Sequence, residues 1–263
     1  MPLIALSREH HAGKRLVPPT SYEYARTTAV VALCGAELMM AAQEFPIGFA
    51  LDGGTVTPIA LLFPEPGGNA FVAPDGRWMA DYIPAAIRAY PFVLAQSPGS
   101  DEKVLCLHDT AVLSDTDGEP LFTETGEPGP LLLKSRDFFI EIERNRAATA
   151  MACTALAQRN LLIPWEIKVD KGDGTPVPSS LPLLRLDQDA FNALPSQAVA
   201  ELWPTGALLV AYTHILSLGR MQRLGHLIAL QHPPKVTPPP SAPLDLDRRF
   251  GIVTDEAELH FNF

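Results

Sequence analysis

Short apolar segments alternate with turn clusters along the chain between residues 30 and 130. The segments include PIGFAL, TPIALLF, NAFVA, PFVLA and KVLCLHD, and they are separated by DGGT, EPGGN, APDG and SPGSD. Short apolar runs bounded by glycine, proline and aspartate are typical of strands. Gly67, Gly68 and Gly76 favour hairpin turns, because glycine takes positive φ angles at little cost. The pattern predicts a β-rich region with a short helix around residues 36–43.

The pattern becomes helical in the middle of the chain. Residues 137–162 contain no glycine or proline, and their apolar residues recur at helical spacing. We therefore predict one long central helix over this range. Its buried stripe would be formed by Phe138, Ile142, Thr149, Ala152 and Leu156.

Strand and helix signals alternate after the central helix. The segments IPWEIKV and SLPLLRLD flank a turn rich in glycine and proline, which predicts a β-hairpin. Asp187 and Ser196 stand where N-caps belong, and Gly206 precedes a further apolar run at helical spacing. The last part of this region is therefore predicted to be helical.

The predicted fold class is α+β. A single domain over residues 1–232 would be β-rich over 1–134 and mainly helical over 135–232. Six of the eleven residues in 233–243 are proline, which predicts an extended tether. Residues 244–263 return to alternating apolar and polar positions, which predicts a terminal β-hairpin that docks on the body or on another molecule.

Composition narrows the classes of partner. A chain of 263 residues with 47% hydrophobic content can bury a full core. Its formal net charge of −10 repels phosphate backbones, so we expect no nucleic-acid partner. The N-terminus lacks the pattern of a signal peptide, which predicts a cytoplasmic protein unless a signal-independent exporter carries it to the cell surface. The longest near-apolar run, residues 202–218, is too short for a membrane helix, so we expect no integral membrane segment.

No residue pattern names a reaction. The histidines show no HxH, HxxxH or HExxH spacing, and three scattered cysteines encode neither a disulfide framework nor a CxxC site. His108 and Asp109 could form an acid–base pair, but adjacent strand residues point to opposite faces of a sheet. The motifs GxSxG, GxGxxG and GxxxxGK do not occur, and the cysteines lie in apolar contexts that raise a thiol pKa. We therefore predict no catalytic residue, no metal site and no cofactor.

Residues 76–94, GRWMADYIPAAIRAYPFVL, combine several aromatic residues with an arginine. In one interpretation the aromatic residues pack the core, and the arginine pairs with a carboxylate such as Glu44 or Asp81. In the other they line a pocket, because aromatic walls beside a guanidinium suit a carboxylate or an extended peptide. The candidate ligand-binding residues are Asn69, Trp78, Tyr82, Arg88 and Tyr90.

Segments spread over nearly the whole chain resemble the SapC family of bacterial proteins, which is named for an association with surface-layer arrays. The chain departs from the family pattern at Phe45, where a tyrosine is usual, at Ala89, where a second arginine is usual, and in its proline-rich insertion. Ala89 weakens any interpretation that needs two adjacent guanidinium groups. The resemblance lies in HAGKRL (11–16), AELMMAAQEFPIGFA (36–50), NAFVAPDGRWMADYIPAAIRAYPFVL (69–94), GEPLFTETGEPGPLL (118–132), ALAQRNLLIP (155–164) and GIVTDEAELHFNF (251–263).

The resemblance implies a binding or accessory protein of surface-layer or envelope biology, whose partner is a protein or peptide of the envelope or a modifying enzyme. The alternative is an enzyme or enzyme partner that modifies a peptide or small molecule, beside a flavin-dependent halogenase or an iron-dependent oxygenase. Bound iron, zinc or flavin in the purified protein would favour the enzyme. A colourless protein with a peptide-sized groove would favour the binding protein.

Overall fold

The structure, a computed structural model, describes residues 3–96, 103–170 and 176–231. All of these described residues belong to one compact unit. The predicted tether over 233–243 and the predicted terminal hairpin lie outside the described residues.

The described residues contain both strands and helices, as the α+β prediction requires. The strands are β1 (Leu3–Ala5), β2 (Arg15–Leu16), β3 (Val30–Ala32), β4 (Ile47–Asp52), β5 (Thr55–Leu61), β6 (Phe92–Gln96), β7 (Lys103–His108), β8 (Leu113–Ser114), β9 (Glu119–Pro120), β10 (Leu162–Pro164), β11 (Lys168–Asp170), β12 (Pro176–Pro178) and β13 (Leu183–Leu186). The α-helices are α1 (Arg8–His11), α2 (Leu38–Ala41), α3 (Ala85–Arg88), α4 (Pro130–Ala157), α5 (Gln188–Asn192), α6 (Ser196–Leu202), α7 (Ala207–Ser217) and α8 (Met221–Gln231). Single 3₁₀ turns lie at Glu23–Ala25, Gly35–Glu37, Trp203–Thr205 and Leu218–Arg220.

The largest sheet has the strand order β10-β13-β4-β5-β3, and every neighbouring pair in it is antiparallel. Strands β4 and β5 form a hairpin in which Asp52 pairs with Thr55. The two residues between them, Gly53 and Gly54, have φ angles of 52° and 82°. Two consecutive positive φ angles match the twist of a hairpin, which explains why the DGGT cluster turns the chain here.

The main core lies between this sheet and the helices. Phe45, Ile47, Phe49, Leu61 and Leu156 are completely buried in it. Both faces of β4 are covered, because the intervening Gly48 is also buried beneath the Trp165 ring. A Cβ at Gly48 would lie 2.6 Å from Trp165 Cζ3, so only glycine lets this ring pack on the strand.

A second, smaller core joins the first half of α4 to the other strands. One three-stranded sheet has the order β1-β7-β6, and another has the order β8-β2-β9. The residues buried between them and α4 are Leu16, Ala89, Phe92, Leu107, Leu121, Leu132 and Phe139. Helix α4 therefore contributes its first half to this core and its second half to the main one.

The structure confirms the long central helix but corrects its bounds and one cap. The helix begins at Pro130 rather than 137, because proline at the first helical position has no N–H to leave unpaired. Asp187 is the N-cap of α5 as predicted, but Ser196 lies inside α6, and Pro195 takes the cap position. The predicted hairpin is also present, with β10 paired to β13 and β11 to β12.

His214 of α7 fastens that helix to the sheet. Its side chain is 1% exposed, its Nδ1 lies 2.7 Å from the carbonyl oxygen of Ile47, and the N–H of Leu186 donates to its Nε2 at 3.3 Å. The two bonds require a neutral ring with the proton on Nδ1. Burial is the main cause that lowers the pKa of His214 to about 4, and the nearby charge of Arg185 lowers it further.

We predict that His214 makes stability depend on pH between its unfolded and folded pKa values. The folded state binds fewer protons than the unfolded state between the ordinary pKa of 6.5 and about 4. The contribution of the neutral His214 ring to the free energy of unfolding is fully present above pH 6.5. It falls by about 3 kcal/mol as the pH drops from 6.5 to about 4. Urea unfolding of the wild type and of His214→Gln at pH 7.5 and pH 4.5 measures it. Equal pH dependence in the two proteins would contradict the prediction, since carboxylate titration is common to both.

Candidate functional site

Residues 69–94 contain little regular structure, although they hold all five candidate residues. Only α3 and the start of β6 are regular, apart from an isolated bridge between Val72 and Trp78. Gly76, with a φ angle of 84°, turns the chain inside this bridge, as the PDG cluster predicts. A buried irregular segment must find other partners for its backbone groups, so the side chains around it become important.

Side chains from distant elements supply those partners. Arg26 donates to the carbonyl oxygen of Ala73 at 3.0 Å, and Arg223 of α8 donates to that of Met79 at 2.9 Å. Gln231 donates to the carbonyl oxygens of Ala70 and Val72 at 2.9 and 3.0 Å. The path of the segment is therefore fixed by polar contacts as well as by apolar packing.

Asn69 belongs to this framework. Its side chain is 3% exposed, donates to the carbonyl oxygen of Ala25 at 2.9 Å and accepts from the N–H of Phe71 at 2.9 Å. The amide therefore bridges two backbone groups and faces the interior.

Trp78 also makes internal contacts. Its indole N–H donates to the carbonyl oxygen of Tyr82 at 2.8 Å. Its ring centroid lies 5.7, 6.1 and 6.0 Å from those of Tyr22, Phe45 and Phe71. Trp78 thus fixes the conformation of residues 78–82 against the main core.

A buried carboxylate, Glu37, joins the next part of the segment to the main core. Its Oε1 accepts from the Tyr82 hydroxyl at 2.9 Å and from the N–H of Ala85 at 2.6 Å. Its Oε2 accepts from the N–H and the thiol of Cys34 at 3.1 and 3.3 Å. Because Ala85 is the first residue of α3, this single side chain sets where α3 begins.

Burial, and then the charge of Glu37, make the Tyr82 hydroxyl and the Cys34 thiol harder to ionise. The pKa of Tyr82 is raised by burial first and by the charge of Glu37 second. Burial and then Glu37 raise the pKa of Cys34 to about 11. Both groups therefore keep their protons at neutral pH and act as donors to Glu37.

Arg88 lies where the segment passes from one core to the other. Ile87 is buried in the main core and Ala89 in the smaller one, so the arginine between them points outward. Its Nε donates to the carbonyl oxygen of Ile83 at 2.9 Å. Its Cζ lies 5.8 Å from the Tyr82 ring centroid and 5.7 Å from that of Phe138 on α4.

The pairing of Arg88 with Glu44 or Asp81 is not observed. Glu44 instead forms an ion pair with Arg223. Among the described residues, no carboxylate lies within ion-pair distance of Arg88, and besides its Nε bond the guanidinium interacts with the side chain of Tyr82. The guanidinium is thus held at Nε and lies near two rings, and no carboxylate of the described residues occupies the edge that binds carboxylates.

Arg88 and Tyr90 line a cavity of about 320 Å³ between α3, α4 and the chain around β2. Helix α4 contributes one face, because residues spaced by three and four share a side of a helix. That face carries Leu131, Lys134, Ser135, Phe138 and Phe139. Among the described residues Lys134, like Arg88, has no carboxylate within ion-pair distance. Two unpaired cations and one carboxylate, that of Glu119, therefore line the cavity beside an aromatic floor.

Tyr90 forms a rigid wall of this cavity. Its ring stacks on Tyr24 with centroids 3.8 Å apart and on His108 with centroids 5.6 Å apart. Its hydroxyl lies 3.1 Å from that of Thr110. A ring held from two sides and at its hydroxyl presents a defined edge to a ligand.

The five candidate residues therefore divide into two groups. Arg88 and Tyr90 line the cavity, whereas Asn69, Trp78 and Tyr82 lie behind it and hold the segment in place. Sequence reasoning missed Glu37 and the α4 face, although the spacing from Leu131 to Phe139 would have revealed that face once the helix was extended to Pro130.

The three cysteines are buried, and His108 is half-buried. Burial raises the pKa of the Cys153 thiol to about 12 and also raises that of Cys106. His108 stacks on Tyr90, and its buried Nδ1 has no hydrogen-bond partner within the described part of the chain. Across residues 3–96, 103–170 and 176–231, no group of three or more His, Cys, Asp or Glu side chains could hold a metal ion. No helix in these ranges combines the length and the apolar character that crossing a membrane requires.

A second cavity, of about 650 Å³, lies on the other side of Phe139. Its walls are mainly apolar residues of β6, β7 and α4. The charged groups at its rim are already paired, since Lys103 contacts Glu143, Arg136 contacts Asp137 and Arg144 contacts Glu141. It therefore lacks the open cations that distinguish the Arg88 cavity.

The fold and the cavity define an α+β protein with a cationic, aromatic-walled pocket at the boundary between two cores. The model of the SapC family matches residues 6–224, and the chain belongs to this family. No curated protein and no solved structure matches it.

We predict that Glu37 and Tyr82 stabilise the protein as a coupled pair. Tyr82→Phe removes one donor to the carboxylate and should lower the free energy of unfolding by about 1 to 3 kcal/mol. Glu37→Ala should cost more, because it also leaves the N–H groups of Cys34 and Ala85 without an acceptor. Urea unfolding of both single variants and the double variant tests this. Strictly additive losses would contradict the coupling.

Proposed function

We propose that the protein is a binding or accessory protein that takes up a carboxylate-bearing ligand in the Arg88 cavity. The observation that carries this proposal is the pair of unpartnered cations, Arg88 and Lys134, beside the Phe138 ring. The cavity volume of about 320 Å³ falls at the lower end of the range of small-ligand pockets.

The arrangement favours a ligand with an anionic end and an apolar body. A guanidinium whose Nε is already bonded can still offer its two terminal nitrogens to a carboxylate. The apolar body would cover Leu131, Phe138 and Phe139, whose burial adds hydrophobic free energy. The end of an extended peptide and a free aromatic or aliphatic acid both meet this description.

Family membership supports a wider setting for this binding. The resemblance to SapC proteins implies surface-layer or envelope biology, in which the ligand would belong to an envelope protein, to a peptide or to the substrate of a modifying enzyme. An accessory role of this kind needs recognition of a ligand without a reaction. The alternative of an enzyme stays a prediction, which a bound flavin or iron in the purified protein would support.

We predict that small carboxylic acids bind and that Arg88 is responsible for their selectivity. Phenylacetate, titrated by calorimetry or by NMR, should bind more tightly than its neutral amide phenylacetamide, because only the acid forms charge-assisted hydrogen bonds. Arg88→Lys should weaken phenylacetate binding by about 1 to 3 kcal/mol, since lysine keeps the charge but loses the paired donors. Folding should be nearly unaffected, because the side chain is exposed.

Two variants serve as controls. Arg77→Lys changes an exposed arginine that is paired with Asp75 outside the cavity, and it should leave affinity unchanged. Trp78→Phe should lower stability through the lost indole N–H bond to Tyr82, with little effect on affinity at temperatures where the protein remains folded. Equal binding of phenylacetate and phenylacetamide, or an Arg88→Lys variant with wild-type affinity, would rule out the proposed site.

A further inference from the structure

Helix α7 has an unusual outer face. Its sequence ALLVAYTHILS contains no Asp, Glu, Lys or Arg, and its one histidine, His214, is buried and neutral. The residues turned to solvent are Leu209, Tyr212 and Leu216. They are 45, 55 and 71% exposed. A helix that is apolar on all sides is normally buried, so this face is expected to be covered in the working protein.

From this face we infer that two copies of the chain associate through α7, packed antiparallel about a two-fold axis. The inference is independent of the carboxylate cavity, which lies between α3 and α4. It rests on the spacing of the exposed residues, on the charge of the chain and on the apolar area next to α7.

The spacing of the three residues suits a self-complementary contact. Leu209 and Leu216 lie three residues before and four residues after Tyr212, on the same side of the helix. An axis close to Tyr212 places Leu209 of one copy against Leu216 of the other, and the reverse contact forms at the same time. The two Tyr212 rings then meet at the centre, where an aromatic anchor contributes most to an interface.

Charge favours a second copy over a charged partner. The chain carries a formal net charge of −10, so most approaches between two copies are repulsive. The α7 face lacks carboxylates and cations alike, which makes it a place where two copies can meet without like-charge contacts.

The neighbouring turn supplies further apolar area. Stable interfaces bury about 800 Å² on each partner, which is more than three side chains provide. The Trp203–Thr205 turn contacts α7, and Trp203 is 76% exposed. Helix α6 also contacts α7, and its Val199 is 37% exposed.

Sedimentation velocity of the full chain over a range of concentrations tests the inference. We expect a species with twice the 28.5 kDa chain mass at micromolar concentration. Leu216→Glu places two carboxylates in the symmetric contact, so it should raise the dimer dissociation constant by at least thirtyfold. Its far-UV spectrum and unfolding midpoint should stay close to the wild type, because the side chain is exposed within one copy.

Val112→Glu is the matched control, since Val112 is 61% exposed and lies in the loop between β7 and β8. It should leave the dimer intact. A wild-type monomer at all concentrations, or a dimer that Leu216→Glu weakens no more than Val112→Glu does, would overturn the inference. A monomer that Leu216→Glu strongly destabilises would overturn it as well, because the face would then be covered within one chain.

Discussion

The position of the cavity depends on one buried carboxylate, that of Glu37. Four donors converge on it, and they come from the chain after β3 and from the segment that carries Arg88. A buried carboxylate tolerates few arrangements, because each missing donor leaves its charge poorly solvated. This requirement fixes the start of α3 and, three residues further along, the place of Arg88.

Arg88 gains its open edge from the same geometry. Its Nε bond to Ile83 and its two flanking rings restrict the side chain without neutralising it. Preorganisation of this kind reduces the entropy lost when a ligand binds. The aromatic density of residues 76–94 therefore has two separate causes, with Trp78 and Tyr82 supporting the segment and Tyr90 forming a wall of the cavity.

Local sequence patterns were sufficient to predict the helices, caps and hairpins that depend on neighbouring residues in the chain. The central helix, the Asp187 cap and the hairpin formed by β10 and β13 follow from periodicity and turn residues. The contacts of Glu37 with Tyr82 and Ala85 could not be predicted in this way, since these residues lie 45 and 48 positions away and meet Glu37 only through the tertiary fold. The local capping box that Glu37 forms with Cys34 does not indicate that its other carboxylate oxygen is buried against Tyr82 and Ala85. The lack of a carboxylate partner at Arg88 could not be predicted from local sequence either. Glu44 pairs instead with Arg223, which lies 179 positions after Glu44 in the chain.

The two cores differ in size, and this difference bears on how a ligand would act. Within the described part of the chain, the main core contains 33 buried apolar residues and the smaller one contains 7, with α4 shared between them. Regions with few buried contacts open at lower free-energy cost than the rest of a protein. The Arg88 cavity lies against the smaller core. Phe92 and Phe139 are buried in that core and also line the cavity. A ligand held there would add contacts in the region with the fewest buried residues. Its binding free energy would therefore stabilise, above all, the packing of the first half of α4 against the two small sheets.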